Sequence, residues 1–520
     1  MLVVLVSVYL ALFGNISFFR NVGDVYPVSL ANIAFLASLA VLLAATTALV
    51  LTLFTFRRAT KPVLIVILLT SSLAGYFMDS YNVVIDSTMI QNAMQTNMQE
   101  SMDLFTFKLV VYFLLLGILP SVLVYKAQVE CVSYKSELLS KLKIIGVTIL
   151  IAVVVIPLFG KFYTSFIREH KTLRYYVNPV YYMWSIAGYI GDMSRSGPVA
   201  IQVIGADAQV PPSDADRELI ILVVGEAARA DRFSLNGYTR ETNPLLEKED
   251  VITFSNVHSC GTSTAVSVPC MFSIFGKERY DDEKIRSTQN LLDVLSHAGV
   301  DVLWRDNNSD SKGVAARMRH EDFKGSASNS VCDVECRDSG MLAGLQEYIS
   351  GKKSGDILIV LHQMGNHGPA YYKRYPKSFE QFNPVCKTSQ LEKCTREEIG
   401  NAYDNAILYT DYFLSKVIEL LKKNSVEFET AMIYMSDHGE SLGENGLYLH
   451  GLPYFMAPDT QKHVASIMWF GDSFHIDREA LRAKSGNAYS HDNLFHTMLG
   501  FMEVNTSVYD KSKDIVNFDR

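Results

Sequence analysis

After a short apolar run, Ala431–Met435, the chain continues Ser436-Asp437-His438-Gly439-Glu440-Ser441-Leu442-Gly443-Glu444-Asn445-Gly446. The run has the composition of a buried strand. An aspartate and a histidine leave its end side by side and enter a glycine-rich turn. Ligands of an open parallel sheet bind beyond the carboxyl ends of its strands. An Asp-His pair at such an end is placed to hold a metal. An ordinary turn also accommodates the dipeptide, so the rest of the chain has to decide.

Working outward, the sequence alternates strand-like and helix-like segments from about residue 217. Leu219–Val224, Val300–Trp304 and Ile357–Leu361 read as buried strands, while Leu291–His297 and Asn401–Lys422 read as helices. This alternation predicts a mostly parallel sheet covered by helices. Glu226, the Asn307-Asn308 pair, His367 and Asp437-His438 each fall just past a predicted strand end. Strand ends of a parallel sheet share one edge, so residues two hundred positions apart converge there. Carboxylates and imidazoles together suit a divalent metal, and the imidazole favours zinc.

A nucleophile is available in Cys260-Gly261-Thr262-Ser263-Thr264-Ala265-Val266-Ser267-Val268-Pro269-Cys270. A Ser/Thr hydroxyl needs a base or a metal to become a nucleophile at neutral pH. Composition alone leaves Thr262, Ser263, Thr264 and Ser267 all open. A disulfide between the flanking cysteines would brace the loop. A helix beginning or continuing over Met271–Phe275 would favour an anion near its amino end. Lys312, His450 and His463 are further polar candidates; the lysine suits a phosphate as a point charge, and His463 reads equally as a surface residue.

The remainder of the chain has a different character. Of 520 residues 49% are hydrophobic, and the excess sits in the first third. Apolar segments cover about 1–19, 30–56, 62–77, 105–125 and 144–160, several long enough for the about 17–20 residues that span hydrocarbon. Arg57, Arg58 and Lys61 follow the second segment, and Lys126, Lys135, Lys141 and Lys143 follow the fourth. Residues 78–104 carry only acidic charges. Basic loops stay cytoplasmic, so five crossings export everything after about residue 160. Six of the seven cysteines lie in that exported part, in three close pairs: Cys260 with Cys270, Cys332 with Cys336 and Cys386 with Cys394. Paired cysteines suit an oxidising compartment, whereas Cys131 falls in a predicted cytoplasmic loop. Residues 161–216 mix aromatic and basic residues and then reach Pro211-Pro212, which suits an interfacial bridge followed by a hinge. The net charge of −8 argues against nucleic acid as a partner.

Taken together, Val223 to Glu226, Cys260 to Ser273, Trp304 to Gly313, Met364 to Pro369 and Ser436 to Gly451 give the chain a family likeness. It resembles the phosphoethanolamine transferases that modify lipid A, both intrinsic and mobile colistin-resistance types. The resemblance implies five transmembrane helices in residues 1–160, a bridge over 161–216 and an alkaline-phosphatase-like α/β domain in 217–520. It further implies that Glu226, Thr264, Asp437 and His438 hold zinc, one ion tightly and a second optionally, with Thr264 as nucleophile. His367 and His450 would flank it as proton donors or substrate ligands, and Asn308 and Lys312 would contact the phosphoethanolamine group. Some members carry another cysteine pair where this chain has Ser311 and Ala315, which leaves the Lys312 loop less braced.

The implied reaction takes phosphoethanolamine from phosphatidylethanolamine to a phosphate of lipid A through a phosphothreonine, in a monomer tethered to the inner membrane with its catalytic domain in the periplasm. Reduced negative charge on lipid A would weaken polymyxin binding. Rival expectations are transfer to a core sugar or another glycan, a metal-dependent phosphodiesterase or sulfatase, and a non-enzymatic membrane sensor.

Overall fold

The computed structural model describes the chain except residues 97, 129–132, 196–199, 212–215 and 517–520. Cys131 and Pro212 therefore lie outside the described residues. Two compact units emerge: Met1–Ile90 with Leu104–Met193, and Gln91–Asp103 with Ser194–Arg520.

The first unit is helical. Ile33–Phe54, Arg57–Tyr81, Phe107–Lys126 and Tyr134–Leu158 are long and apolar enough to cross a bilayer. The apolar segment expected over 1–19 is not one straight helix. Leu2–Phe13 and Ile16–Val25 meet at a 53° bend, and the number of candidate spans is five only if this pair counts as one. The cause is Asn15, whose buried amide donates to the carbonyls of Leu10 and Asn178 instead of facing outward. The aromatic segment after residue 160 belongs to this unit as far as Met193. Tyr163, Tyr176 and Tyr182 are buried, with hydroxyls bonded to Ser38, to the Asn82 carbonyl and to Thr70. Trp184 alone of the four is exposed.

The second unit is built on a seven-stranded sheet. Its strands are β1 Glu218–Gly225, β2 Ile252–Thr253, β3 Asp301–Asp306, β4 Arg319–Asp322, β5 Ile357–His362, β6 Glu429–Ser436 and β7 Ser466–Phe470. Their order across the sheet is β2-β7-β6-β1-β5-β3-β4. Strands β6, β1, β5, β3 and β4 run parallel, whereas β7 is antiparallel to both β6 and β2. The sheet is thus mixed. Strand β1 lies in the middle and is buried along its whole length. That explains its continuous apolar run, because a central parallel strand has no solvent face.

Alternate residues of the central strands serve two cores. Ile220, Leu222, Val224 and Met435 pack with Phe272 and Trp304 on one face. Leu219, Ile221, Val223 and Tyr434 pack with Tyr403, Ile407 and Phe413 of helix Arg396–Asn424 on the other. Each fully buried aliphatic or aromatic side chain is worth about 1.5–3 kcal/mol. The long helix starts earlier than its apolar periodicity suggests, because Thr395 and Glu398 form a reciprocal capping box.

Register brings the strand ends level. Gly225 pairs with Ser436, Val224 with His362, and His362 with Asp306. Backbone bonds carry the alignment one residue further: Asp437 N–H donates to Gly225 O, Gln363 N–H to Val224 O, and Asn307 N–H to His362 O. Residues 207–209, in the stretch expected to be a hinge, are anchored. Thr506 and Ser507 donate to Asp207, and Gln209 pairs with Asn505.

Candidate active site

Glu226, Asp437 and His438 emerge from the ends of β1 and β6 into the interior, and all three are fully buried. The Asp437 Oδ1 atom accepts from the backbone N–H groups of Ala227 and His438, which fixes the carboxylate. The His438 Nδ1–H is directed at the Gly439 carbonyl, 2.8 Å away, leaving Nε2 as the free nitrogen. Gly439 itself allows the turn to pass close: a Cβ there would stand 2.1 Å from the Thr460 carbonyl oxygen.

The loop from Cys260 supplies the hydroxyl. Helix Thr264–Met271 begins at Thr264, so the threonine occupies its first position, and it ends at Met271, so no helix begins or continues over Met271–Phe275 as expected. Thr264 Oγ1 donates to Glu226 Oε2 at 3.0 Å and lies 3.3 Å from His438 Nε2. Of the other candidate hydroxyls, Thr262 donates to Leu452 O and Ser267 accepts from Gly261 N–H. Ser263 has a buried oxygen without a partner.

Four donor atoms therefore face one point: Glu226 Oε1, Asp437 Oδ2, His438 Nε2 and Thr264 Oγ1. His438 Nε2 is 3.3 Å from Glu226 Oε1 and 3.4 Å from Asp437 Oδ2. Neither carboxylate oxygen has a hydrogen-bond partner, although both are buried. Two buried anionic oxygens without a hydrogen-bond partner among the protein groups call for a cation. Electrostatics agree. Burial works against a charged His438, yet Asp437 and Glu226 outweigh it and raise its pKa to about 10. Burial and the neighbouring Glu226 raise that of Asp437. Burial opposes Glu226 ionisation, but His438 holds its carboxyl well below the usual range. The donor set of two carboxylates, an imidazole and a hydroxyl fits zinc.

Two more histidines border this group. The rings of His450 and His438 are 4.1 Å apart and those of His450 and His367 are 5.8 Å apart. Ligand atoms of Glu226, His367 and His450 lie within 4.8 Å of one another. His450 Nδ1 is 2.7 Å from Glu440 Oε2, whose other oxygen accepts from the Tyr371 hydroxyl at 2.5 Å. A carboxylate on Nδ1 sets the tautomer and leaves Nε2 for chemistry.

Asn308 is also brought in, but its amide is committed: Nδ2 donates to Glu226 Oε2 at 2.8 Å and to Gln363 O at 2.7 Å. Lys312 has a left-handed backbone, φ +52°, and its Nζ donates to Ser309 O. Burial lowers its pKa, partly offset by Glu100 and Asp306. His463 bonds Ser255 O and stacks on His258 instead. Disulfides join Cys260 to Cys270, Cys332 to Cys336 and Cys386 to Cys394.

Some contributors carry no sequence signal. Glu440 and Tyr371 orient His450 as described. Fully buried His491 accepts from Cys260 N–H through Nδ1 and donates through Nε2 to Ser436 O, tying the nucleophile loop to β6. Buried Asp338 accepts from Asn307 and from the Met364 and Gly365 N–H groups, joining two strand-end loops. Their roles rest on contacts between segments far apart in sequence, so the folded chain is what reveals them.

A mixed-sheet α/β domain with buried carboxylates, an imidazole and a threonine at the ends of its parallel strands is a sulfatase-like hydrolase or transferase core. Residues 218–504 match the sulfatase family, and residues 43–193 match the family described as phosphoethanolamine transferase EptA/EptB. The chain is 43% identical to phosphatidylethanolamine transferase Mcr-2 of Escherichia coli, covering 96% of this chain and 94% of that protein. It is 40% identical to phosphoethanolamine transferase EptA of Salmonella typhimurium, over 98% and 95%. The solved integral membrane lipooligosaccharide phosphoethanolamine transferase A of Neisseria meningitidis superposes with a TM-score of 0.95 at 35% identity, over 99% and 98%. The chain belongs to the EptA/Mcr family of phosphoethanolamine transferases.

Proposed function

We propose that this enzyme moves phosphoethanolamine from phosphatidylethanolamine to a phosphate of lipid A, with Thr264 as the covalent carrier. The observation that carries this is Thr264 Oγ1, held 3.0 Å from Glu226 Oε2 and 3.3 Å from His438 Nε2 beside two orphaned carboxylate oxygens. Glu226, Asp437, His438 and Thr264 would hold one zinc ion. His367 and His450, with Glu226, offer donors for a second. Bound zinc would supply Lewis acidity, favouring the threonine alkoxide and neutralising phosphoryl charge.

The protein's own groups do the rest. Thr264 passes its hydroxyl proton to Glu226 Oε2, to which it already donates, its Oγ attacks phosphorus, an O–P bond forms, and the bond to the diacylglycerol oxygen breaks. His450, oriented by Glu440, or His367 gives that oxygen its proton. Lys312 offsets phosphoryl charge as a point charge. Asn308 holds Glu226 in place through the bond described above. A lipid A phosphate oxygen then displaces Thr264 from the phosphothreonine. The product carries an added ammonium, so the surface attracts polycations such as polymyxins less.

For the whole chain we propose five membrane crossings in 1–160, a bridge over 161–216 and a periplasmic catalytic domain in 217–520, in a monomer of the inner membrane. The loop charges support this orientation, and three disulfides suit an oxidising compartment. The decisive experiment is mass spectrometry of lipid A from cells expressing the chain. Added phosphoethanolamine with the natural sequence and none with Thr264→Ala supports the proposal. Unchanged lipid A with a modified core sugar refutes the acceptor, and transfer by the alanine variant refutes the carrier.

A further inference from the structure

Residues 91–103 separate two candidate spans in the sequence, yet they fold with the second unit. The segment ends at Asp103, which is buried. Its carboxylate pairs with Arg374 Nη2 at 2.7 Å and also binds Lys373. Arg374 is itself buried, with a second carboxylate, Glu335, on its other amino group. The remaining guanidinium donor, Nε, is directed at the carbonyl oxygen of His367, 2.6 Å away.

From this chain of contacts we infer that Asp103 is a positioning residue for His367, acting through Arg374. A guanidinium presents its donors in a rigid plane. Fixing two amino groups on Asp103 and Glu335 therefore fixes where Nε points. Nε in turn holds the backbone of His367, whose imidazole stands beside Glu226 and His450. The His367 Nδ1 atom is buried without a partner, so the ring has no side-chain bond of its own at that nitrogen to orient it. Its placement rests on the backbone, and Arg374 is the side chain that holds that backbone at the carbonyl. Removing Asp103 leaves Arg374 buried with one carboxylate instead of two, free to turn toward Glu335 and release the carbonyl. Truncating one partner of a buried charged network is costly because the survivor reorganises. Glu335 alone does not restrain rotation about its own contact, whereas two carboxylates on different amino groups do.

The inference rests on the proposed role of His367 at the phosphoryl group. Asp103→Asn, Asp103→Ala and Asp103→Glu are made in the full-length protein, and phosphoethanolamine transfer from a fluorescent phosphatidylethanolamine in detergent micelles is followed. Displacing a reacting group by about 1 Å can cost up to about a hundredfold. The expected result for Asp103→Ala, assayed well below the unfolding midpoint of every variant, is a fall in kcat of about tenfold with KM within about twofold, and partial rescue by Asp103→Glu. The same substitution is then made in His367→Ala. Positioning through His367 requires that Asp103→Ala cost little more on that background, since coupled residues are not additive. An equal further loss overturns the inference, as does a raised KM with kcat preserved. If His367→Ala alone keeps full activity, the role of His367 fails, and that is read from the single variant independently of Asp103.

Discussion

His438 and Glu226 meet nitrogen to oxygen at 3.3 Å, with no hydrogen-bond geometry between them and no other partner for the carboxylate oxygen. The Nδ1–H of His438 is directed at the Gly439 carbonyl. The two carboxylates that favour positive charge on His438 would equally favour a metal cation held between Nε2 and Oε1, with the ring then neutral. Substituting His438→Ala or Asp437→Asn should therefore reduce bound zinc from about one equivalent to near zero, while the fold persists. Metal analysis by mass spectrometry beside circular dichroism checks this. Full zinc retention in either variant would remove that residue from the ligand set.

Chelation tests the same group through stability. Metal stabilises the folded state by RT ln(1 + [L]/Kd), about 4 kcal/mol at a thousandfold excess over Kd. Without it, Glu226 and Asp437 remain as close buried anions. The unfolding midpoint should fall on chelation and return when zinc is added. Magnesium, which prefers an all-oxygen octahedron, should not restore it. An unmoved midpoint would mean that no metal stabilises this site.

The buried histidine His491 gives a pH signature. Burial, with a lesser contribution from His438, drops its pKa from 6.5 to about 3. Between those values the unfolded chain binds a proton that the folded chain refuses, so stability falls as pH drops through 6.5 and levels below about 3. At pH 5 this residue should cost about 2 kcal/mol. The slope of unfolding free energy against pH, compared between the natural protein and His491→Gln, isolates the effect. Identical slopes would show that His491 titrates normally.

Disulfide removal should be graded by loop length. Cys260 and Cys270 are separated by 10 positions, Cys332 and Cys336 by 4. Cross-links constrain the unfolded chain more as the loop grows, typically by about 2–4 kcal/mol. The Cys260→Ala/Cys270→Ala pair should lower the unfolding midpoint more than Cys332→Ala/Cys336→Ala. It should also slow transfer, because its loop carries Thr264. A larger effect from the shorter loop would contradict this.

Much of the site was legible before the fold. Glu226 and Asp437-His438 could be found because strand ends in a parallel sheet share an edge, and β1 and β6 are apolar enough to announce themselves. The residues alone narrow the hydroxyl to a loop and only the family resemblance points to Thr264, whereas in the structure its bond to Glu226 separates it from Thr262 and Ser267, which are bonded elsewhere. Strand β4, Arg319–Asp322, escaped notice because all four residues are polar and pair only along one side at the sheet edge. Strand β7 runs against its neighbour, and antiparallel direction leaves no mark on so short a run. The bend inside the first apolar segment leaves no mark in the apolar count, because nothing there says that Asn15 will fold inward. Asp338 and His491 depend on contacts between loops far apart in sequence, which no local pattern encodes.

The level register of Gly225 with Ser436 has a consequence for how this enzyme can vary. A strand advances about 3.3 Å per residue and alternates its faces. Inserting one residue within β6 would carry Asp437 away from Glu226 by roughly that distance and turn its carboxylate to the other side. Loops at the amino ends of the same strands carry no such restriction. Lengthening there, for instance between Ser425 and Glu427 where Val426 is 95% exposed, leaves the reacting edge untouched. Insertions that diversify the molecule without silencing it are confined to the rim opposite the chemistry.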